Sequence, residues 1–516
     1  MLRAARFLIT VFLAALSAAR ADWRDDIGMT RLALELGAAM PTGAGIVLLQ
    51  SEANNIPSPP NYLPEPGGPG AFGGVITGPF AGKTFHPESG AGTDLGHAAT
   101  VASYFYGNYV GVARGAVEIH NYTAVDFMDR LTTGTAPEVL PGRVQNHSWA
   151  GSFGSTSVDT DAVRAFDFML NRDARIATIG ISGGSLQPLL GDTFHGITAG
   201  VRSGNHSISG TLTDGAGRMK PDLVVDQEFT SYAAPIIGGC AACLLQGAIA
   251  SGNANAEKPQ TIKAILLAGA SKQNLPQWQR DTTAEPYDDV FGAGELNLFN
   301  AWHILQAGEQ PHSTSAEVAV RGWDFATTTS NSAGRRYFFT IPAGKVADTF
   351  SAALTWHRQI SKNIFGDYTS SLTNLTLRLY AASGFTAGAL ISSSTSSVDN
   401  LEHIHLYHLP PGQYVLEVTT NTNGRDYALA WEARIGEGPV LATTSATAGS
   451  ISFAATSLDP FVTYVIESSP DLAAGTWTTE HTFRTADTTP AFQYNWQDTT
   501  PAPDKQFYRL RWTPVR

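Results

Sequence analysis

A serine at the first turn of a buried helix is placed for acyl transfer, and one segment of this chain offers such a serine. Phe229-Thr230-Ser231-Tyr232-Ala233-Ala234-Pro235 runs directly into Ile236-Ile237-Gly238-Gly239-Cys240-Ala241-Ala242-Cys243-Leu244-Leu245. A helix that is apolar on all sides and rich in Gly and Ala packs closely among its neighbours, so a serine at its start is held in place. Free N–H groups and the positive end of the helix dipole favour developing negative charge there, as an oxyanion-stabilised acyl transfer requires. Taken alone, the segment leaves open that Thr230 or Ser231 only caps the helix. A serine nucleophile also needs a base, because its hydroxyl is barely ionised at neutral pH, and histidine is the side chain that takes and returns a proton there. The chain has 13 histidines. The base in turn calls for a buried carboxylate that fixes its tautomer and stabilises its cation.

The segment resembles the Gly-Thr-Ser-x-Ala-x-Pro nucleophile motif of the subtilases, the subtilisin-like serine proteases. Thr230, Ser231, Ala233 and Pro235 match, and Phe229 stands where glycine is usual. Gly217-Arg218-Met219-Lys220-Pro221-Asp222-Leu223-Val224 resembles the family's Lys-Pro-Asp-Leu-Val strand, and Gly292-Ala293-Gly294-Glu295-Leu296-Asn297 its closing Gly-x-Gly-x-Val-Asn segment. The resemblance makes Ser231 the nucleophile. Gly96-His97-Ala98-Ala99-Thr100-Val101-Ala102 opens a helix and resembles the family's Gly-His-Gly-Thr-His-Val-Ala-Gly block, which selects His97 as the base, with Thr100 in place of the second histidine. Gly43 to Glu52 aligns without a gap on Gly-x-Gly-Val-x-Val-Ala-Val-Ile-Asp, so Glu52 falls at the usual aspartate, with one extra methylene. Asp94, one turn before His97, is the competing carboxylate. The order acid, histidine, serine is that of the subtilisin arrangement.

The resemblance fails at the second oxyanion donor, an asparagine side chain in the family. The corresponding strand, Arg175 to Ile181, continues as Ser182-Gly183-Gly184-Ser185. Losing such a donor costs on the order of 10² to 10³ in turnover. Gly183 and Gly184 are the oxyanion candidates, with Ser182, Ser185 and Asn205 as alternatives. Asn146-His147-Ser148-Trp149-Ala150-Gly151 looks like the family's Asn-x-Ser-Leu-Gly strand, which implies that Ser148, Trp149, Ala150 and Gly151 bind an extended peptide by strand addition.

The elements that must position these residues read as α/β. Gly45 to Ser51, Gly142 to Trp149, Arg175 to Ile181, Gly196 to Val201 and Pro221 to Val225 predict strands, and stretches at 96–106, 157–171, 231–251 and 259–269 predict helices. Strands alternating with helices predict a mainly parallel sheet covered on both faces, the three-layer fold that the resemblance also implies. The stretch from Ile56 to Phe80 reads as a long surface loop. After about Gln310 helix patterns vanish and strands follow one another, with a second break near Ile435 to Pro439, which predicts two all-β sandwiches. Leu409 to Val418 resembles the closing strands of jelly-roll modules that follow many exported subtilases; a stabilising role is favoured over carbohydrate or cell-surface contact. The expected division is 1–21 export signal, 22–310 catalytic domain, 311–436 jelly-roll-like sandwich and 437–516 small sandwich.

Composition bounds the alternatives. The chain has 516 residues, 43% of them hydrophobic and 15% charged, with a net charge of −12 and no basic run, so a sizeable core is expected and nucleic-acid binding is disfavoured. Arg3 and Arg6, an apolar stretch from Phe7 to Ala18 and Ala19-Arg20-Ala21 form a cleavable secretory signal, and no later segment of this kind predicts a membrane span. A secreted, periplasmic or cell-surface location follows, and the interval from Ala21 to Gly43 leaves no room for a folding-assistant propeptide. Cys240 and Cys243 read as buried small hydrophobes, and His403, His405 and His408 as ordinary strand residues, so neither a metal nor a cofactor is expected. The sequence thus reads as an exported serine endopeptidase acting on peptide or protein through Glu52, His97 and Ser231. The rival is a catalytically silent fold used for binding or adhesion. A glycoside-active enzyme would need paired carboxylates that no segment proposes.

Overall fold

The computed structural model describes residues 22–513 apart from 57, 65–77, 135, 209, 331–333, 364–365, 437–438, 448–449, 457, 459–462, 471–476, 485–493 and 500–506. The expected export signal, 1–21, and much of the expected loop between Ile56 and Phe80 lie outside the described residues. Seven parallel strands make the central sheet: β1 Leu48–Glu52, β2 Thr84–Pro87, β3 Glu118–Thr123, β4 Val144–His147, β5 Ile176–Gly180, β6 Ile197–Val201 and β7 Leu223–Val225. Their order is β2-β3-β1-β4-β5-β6-β7. Strands β1 and β4 to β7 are buried along their whole length, because helices cover both faces of the sheet.

From β1 the chain runs first to the edge strand β2, returns as β3 beside β1, and then crosses to the other side to continue from β4 to β7. A ligand crevice is expected at such a reversal, outside the carboxyl ends of the strands. Glu52 ends β1 and Ser148 follows β4, so both belong to that edge. The strands and helices expected from sequence are all present, with ends shifted by no more than three residues. Strands β2 and β3 and the helices Met29–Leu36, Ala124–Thr132 and Leu298–Gln306 are among the additional elements.

The helix Thr230–Ser251 runs through the domain centre, and its residues from Ala233 to Leu245 are all buried. Close approach demands glycine here, since a Cβ on Gly239 would come within 2.5 Å of the Val112 side chain. Among the described residues this is the one helix long and apolar enough to cross a membrane, and 83% of its apolar window is packed inside the protein. Cys240 and Cys243 lie on it as buried free thiols.

Two antiparallel four-stranded sheets follow, one of Arg321–Thr327, Asp426–Gly436, Val346–Trp356 and Leu401–Leu409, the other of Arg335–Ile341, Gly412–Thr419, Thr376–Ser383 and Thr386–Ser394. Phe339, Phe350, Leu406 and Trp431 lie in the core between them. His403, His405 and His408 are buried on the strand Leu401–Leu409. The C-terminal described strands form two three-stranded sheets, around a core that includes Tyr464, Ile466 and Phe483, and two short two-stranded sheets, Asn61–Leu63 with Thr93–Asp94 and Gln359–Lys362 with Tyr368–Ser371, complete the described strands. The first sandwich also packs on the α/β unit: the helix Pro259–Gly269 is buried at every residue, and the Thr355 hydroxyl donates to the Gln260 carbonyl.

Arg358 locks the two together. Its guanidinium is 1% exposed, donates to Asp167 at 2.9 Å and to Asp214 at 2.6 Å, and lies over the Phe194 ring. Removing one member of a buried ion pair leaves uncompensated charge, so Arg358→Met is expected to cost about 3–5 kcal/mol of stability. A fall in the urea midpoint, followed by tryptophan fluorescence, measures this; an unchanged midpoint contradicts it.

Candidate active site

Glu52 is fully buried, which is costly for a carboxylate unless its oxygens are satisfied. Both are. Oε1 accepts from the Gln50 amide at 2.8 Å, and Oε2 is 2.7 Å from His97 Nδ1. Gln50 lies two residues before Glu52, and a strand's period of two puts both side chains on one face. Gln50 is oriented in turn: its amide also donates to the Ala98 carbonyl at 3.0 Å, and the Tyr106 hydroxyl donates to its Oε1 at 2.5 Å. The longer Glu52 side chain therefore reaches the imidazole from a braced position. Asp94, the competing carboxylate, is exposed and takes no part.

His97 sits in the first turn of the helix Gly96–Phe105 with its side chain 37% exposed. Its Nδ1 is held by Glu52, which leaves Nε2 as the nitrogen able to exchange a proton with a group in the cleft. The Glu52 hydrogen bond raises the imidazole above its ordinary value, outweighing its partial burial. Burial pushes the Glu52 carboxyl up, and the hydrogen bonds from His97 and Gln50 pull it back. The nearby His147 is different: complete burial pushes it down to about 3, so it stays neutral.

Ser231 occupies the first turn of the helix Thr230–Ser251, whose cap is Phe229 with extended backbone and no side-chain cap hydrogen bond. Neither Thr230 nor Ser231 caps the helix, and the Thr230 hydroxyl donates instead to the Ile181 carbonyl. Pro235 has no N–H to return to the Ser231 carbonyl. The Ser148 hydroxyl takes that place at 2.9 Å, while the Asn146 amide donates to Ser148 Oγ at 2.9 Å. On the other side, a Cβ at Gly180 would come 3.1 Å from the Thr230 carbonyl oxygen, so the helix start packs tightly against the end of β5.

His97 and Ser231 line one cleft of about 450 Å³ with Trp149, Ala150, Gly180 to Gly183, Asn205 and Glu228 to Tyr232. No hydrogen bond joins the Ser231 hydroxyl to the imidazole, an arrangement familiar in substrate-free sites whose contacts tighten on binding. Of the expected peptide-binding residues, Trp149 and Ala150 line the cleft, Ser148 braces the Ser231 turn, and Gly151 bridges to Leu189.

Of the oxyanion candidates, Gly183 lines the cleft, whereas Gly184 lies in a neighbouring hollow with its carbonyl accepting from Ser207. The Ser182 hydroxyl is turned to the Ser185 carbonyl at 2.7 Å and to Ser207 Oγ at 2.6 Å. Asn205 is exposed in the cleft wall. Its loop is pinned by the buried His206, whose Nδ1 accepts from the Val201 N–H at 3.0 Å while Nε2 donates to the Val290 carbonyl at 2.8 Å. Gln50, Tyr106, the bracing by Ser148 and the pinning by His206 went unread from sequence. Gln50 had a signal, its spacing from Glu52; the others depend on contacts between distant segments.

No family model matches the chain, and no curated protein does. Among solved structures it is similar to a protease of Pseudoalteromonas arctica, at 17% identity over 53% of this chain and 94% of that one, with a TM-score of 0.32. It is also similar to the epidermin leader peptide processing serine protease of Staphylococcus aureus, at 14% identity over 58% and 83% of the two chains, TM-score 0.32. Tripeptidyl peptidase 2 gives 11% identity over 82% of this chain and 52% of its own, TM-score 0.29. Likenesses of this size say nothing about chemistry, which rests on the side chains.

Proposed function

We propose that the protein is a serine endopeptidase. The observation that carries this reading is the buried Glu52 bonded to His97 Nδ1 in the cleft that Ser231 lines from an uncapped helix start. In this reading the Ser231 hydroxyl attacks a peptide carbonyl as His97 Nε2 takes its proton, then passes it to the leaving amine; water releases the acyl group by the reverse path. Glu52 holds the tautomer that leaves Nε2 free to accept. The oxyanion forms beside the Ser231 N–H at the positive end of the helix. Asn205 is the second donor we assign, because it is a side-chain amide in the cleft wall while the Ser182 hydroxyl is engaged elsewhere. The sequence motifs at residues 96–102 and 229–235 support the same assignment, and export by the residues 1–21 remains part of the proposal.

A fluorophosphonate probe tests the reading. Labelling of the folded protein at Ser231 is expected, with loss of label in Ser231→Ala and His97→Ala. Asn205→Ala is expected to slow labelling and peptide hydrolysis together, by on the order of 10². A folded protein that takes no label would sink the peptidase reading in favour of a silent binding fold.

A further inference from the structure

The helix start departs from the motif it resembles by carrying bulk: Phe229 stands where glycine is usual, and Tyr232 follows the serine. Phe229 is 51% exposed, a large apolar side chain that has no core to fill. It meets the Tyr232 ring edge-on at 5.5 Å, and Tyr104 packs behind Tyr232 at 5.5 Å. Trp23 closes the row against Tyr104 at 5.9 Å. Phe229 and Tyr232 both line the cleft of Ser231. The rings therefore form a braced apolar wall facing the reaction centre.

The chemistry decides which part of a substrate meets this wall. The leaving amine must lie beside the imidazole that protonates it, and the acyl carbonyl beside the oxyanion donors. The Tyr232 ring is 6.3 Å from the His97 ring, so the wall is on the imidazole side. The strand ends that carry Trp149, Ala150 and Gly180 to Gly183, together with Asn205, make the rest of the cleft. We propose that Phe229 and Tyr232 form a leaving-side subsite that selects an aromatic or large apolar residue immediately after the scissile bond. Glu228 lines the same cleft and disfavours an acidic residue there. This inference rests on the serine peptidase reading and adds a substrate class to it.

Acyl-acceptor partition isolates the subsite. A peptide methyl ester acylates Ser231 and releases methanol, which is too small to touch the wall. Amino acid amides then compete with water for the acyl group: the acceptor nitrogen forms the new amide, the Ser231–acyl bond breaks, and His97 carries the amine proton to the serine oxygen. Phenylalanine amide is expected to outcompete glycine amide by about tenfold, the size of one favourable aromatic contact, with aspartic acid amide poorest. Phe229→Ala and Tyr232→Ala should each reduce that ratio to about twofold or less, and Phe229→Leu should keep a preference for leucine amide over glycine amide. The ratio is internal to each variant, so it does not depend on how much active enzyme survives the substitution. A ratio near one in the parent, or one unchanged in both alanine variants, overturns the subsite while leaving the peptidase reading intact. Ester turnover in Ser231→Ala within tenfold of the parent rate overturns that reading and the subsite with it.

Discussion

Replacing Ser231 by alanine is expected to lower kcat for peptide hydrolysis by about 10⁶, and His97→Ala by a similar factor, with the double variant no worse than either alone. In the proposed chemistry the nucleophile and its base act as one unit: without the imidazole the hydroxyl cannot shed its proton, and without the hydroxyl the imidazole has nothing to activate. The Ser231 N–H, the helix start and the cleft remain in both variants, so a residual rate of about 10³ to 10⁴ over water should persist. Initial rates on a peptide anilide, with intact folding checked by circular dichroism, measure the effect. Losses that multiply in the double variant would mean that the two side chains act separately, and the shared-proton chemistry would have to be abandoned. The substitution should cost little stability. Ser231 is held by its backbone carbonyl, through Ser148, rather than by its hydroxyl.

Much of this site could be read before any coordinates, for reasons that differ by residue. Ser231 was named from the all-apolar Gly- and Ala-rich helix with a serine at its start and from the motif that Thr230, Ala233 and Pro235 match. Glu52 was named from the gap-free resemblance of Gly43 to Glu52 to the family's strand, and the structure leaves its competitor Asp94 exposed. The parallel sheet followed from strands that alternate with helices along the chain. Strand β3 escaped notice because Glu118-Ile119-His120-Asn121-Tyr122-Thr123 has only Ile119 and Tyr122 as apolar residues, three apart, so it shows neither a period of two nor a continuous apolar run. Sequence could name Asn205 only as one of several alternatives for the oxyanion donor we propose, without choosing it. Asn205 reaches the cleft because His206 bonds both Val201 and Val290, a contact spanning 84 residues that no local pattern records. Arg358 is similar: its carboxylates lie 191 and 144 residues away, and sequence alone gave the two units as separate domains without the ion pairs between them.

Glu52→Gln is expected to lower kcat by about 10⁴, the loss that follows when a catalytic imidazole is held in the wrong tautomer. The surroundings dictate which way the new amide points. The Tyr106 hydroxyl donates to Gln50 Oε1, so Gln50 presents its amide N–H to Oε1 of residue 52. A glutamine there must keep its carbonyl toward Gln50 and turn its NH₂ toward His97 Nδ1. That nitrogen is then forced to accept, the ring proton moves to Nε2, and Nε2 can no longer take the serine proton. The pH profile supplies a second readout. Hydrolysis needs a neutral imidazole, and the Glu52 hydrogen bond raises His97 above its ordinary value of 6.5, so activity should fall as pH drops through that raised value. In Glu52→Gln the cause of the elevation is gone, and the acid limb of kcat/KM should move to lower pH even as the plateau collapses. Glu52→Asp keeps the charge but shortens the reach to Nδ1; it should retain the raised acid limb where the bond still forms, with an intermediate rate. A Glu52→Gln variant within tenfold of the parent at every pH would show that this carboxylate does not set the tautomer of His97, whatever its distance from the ring.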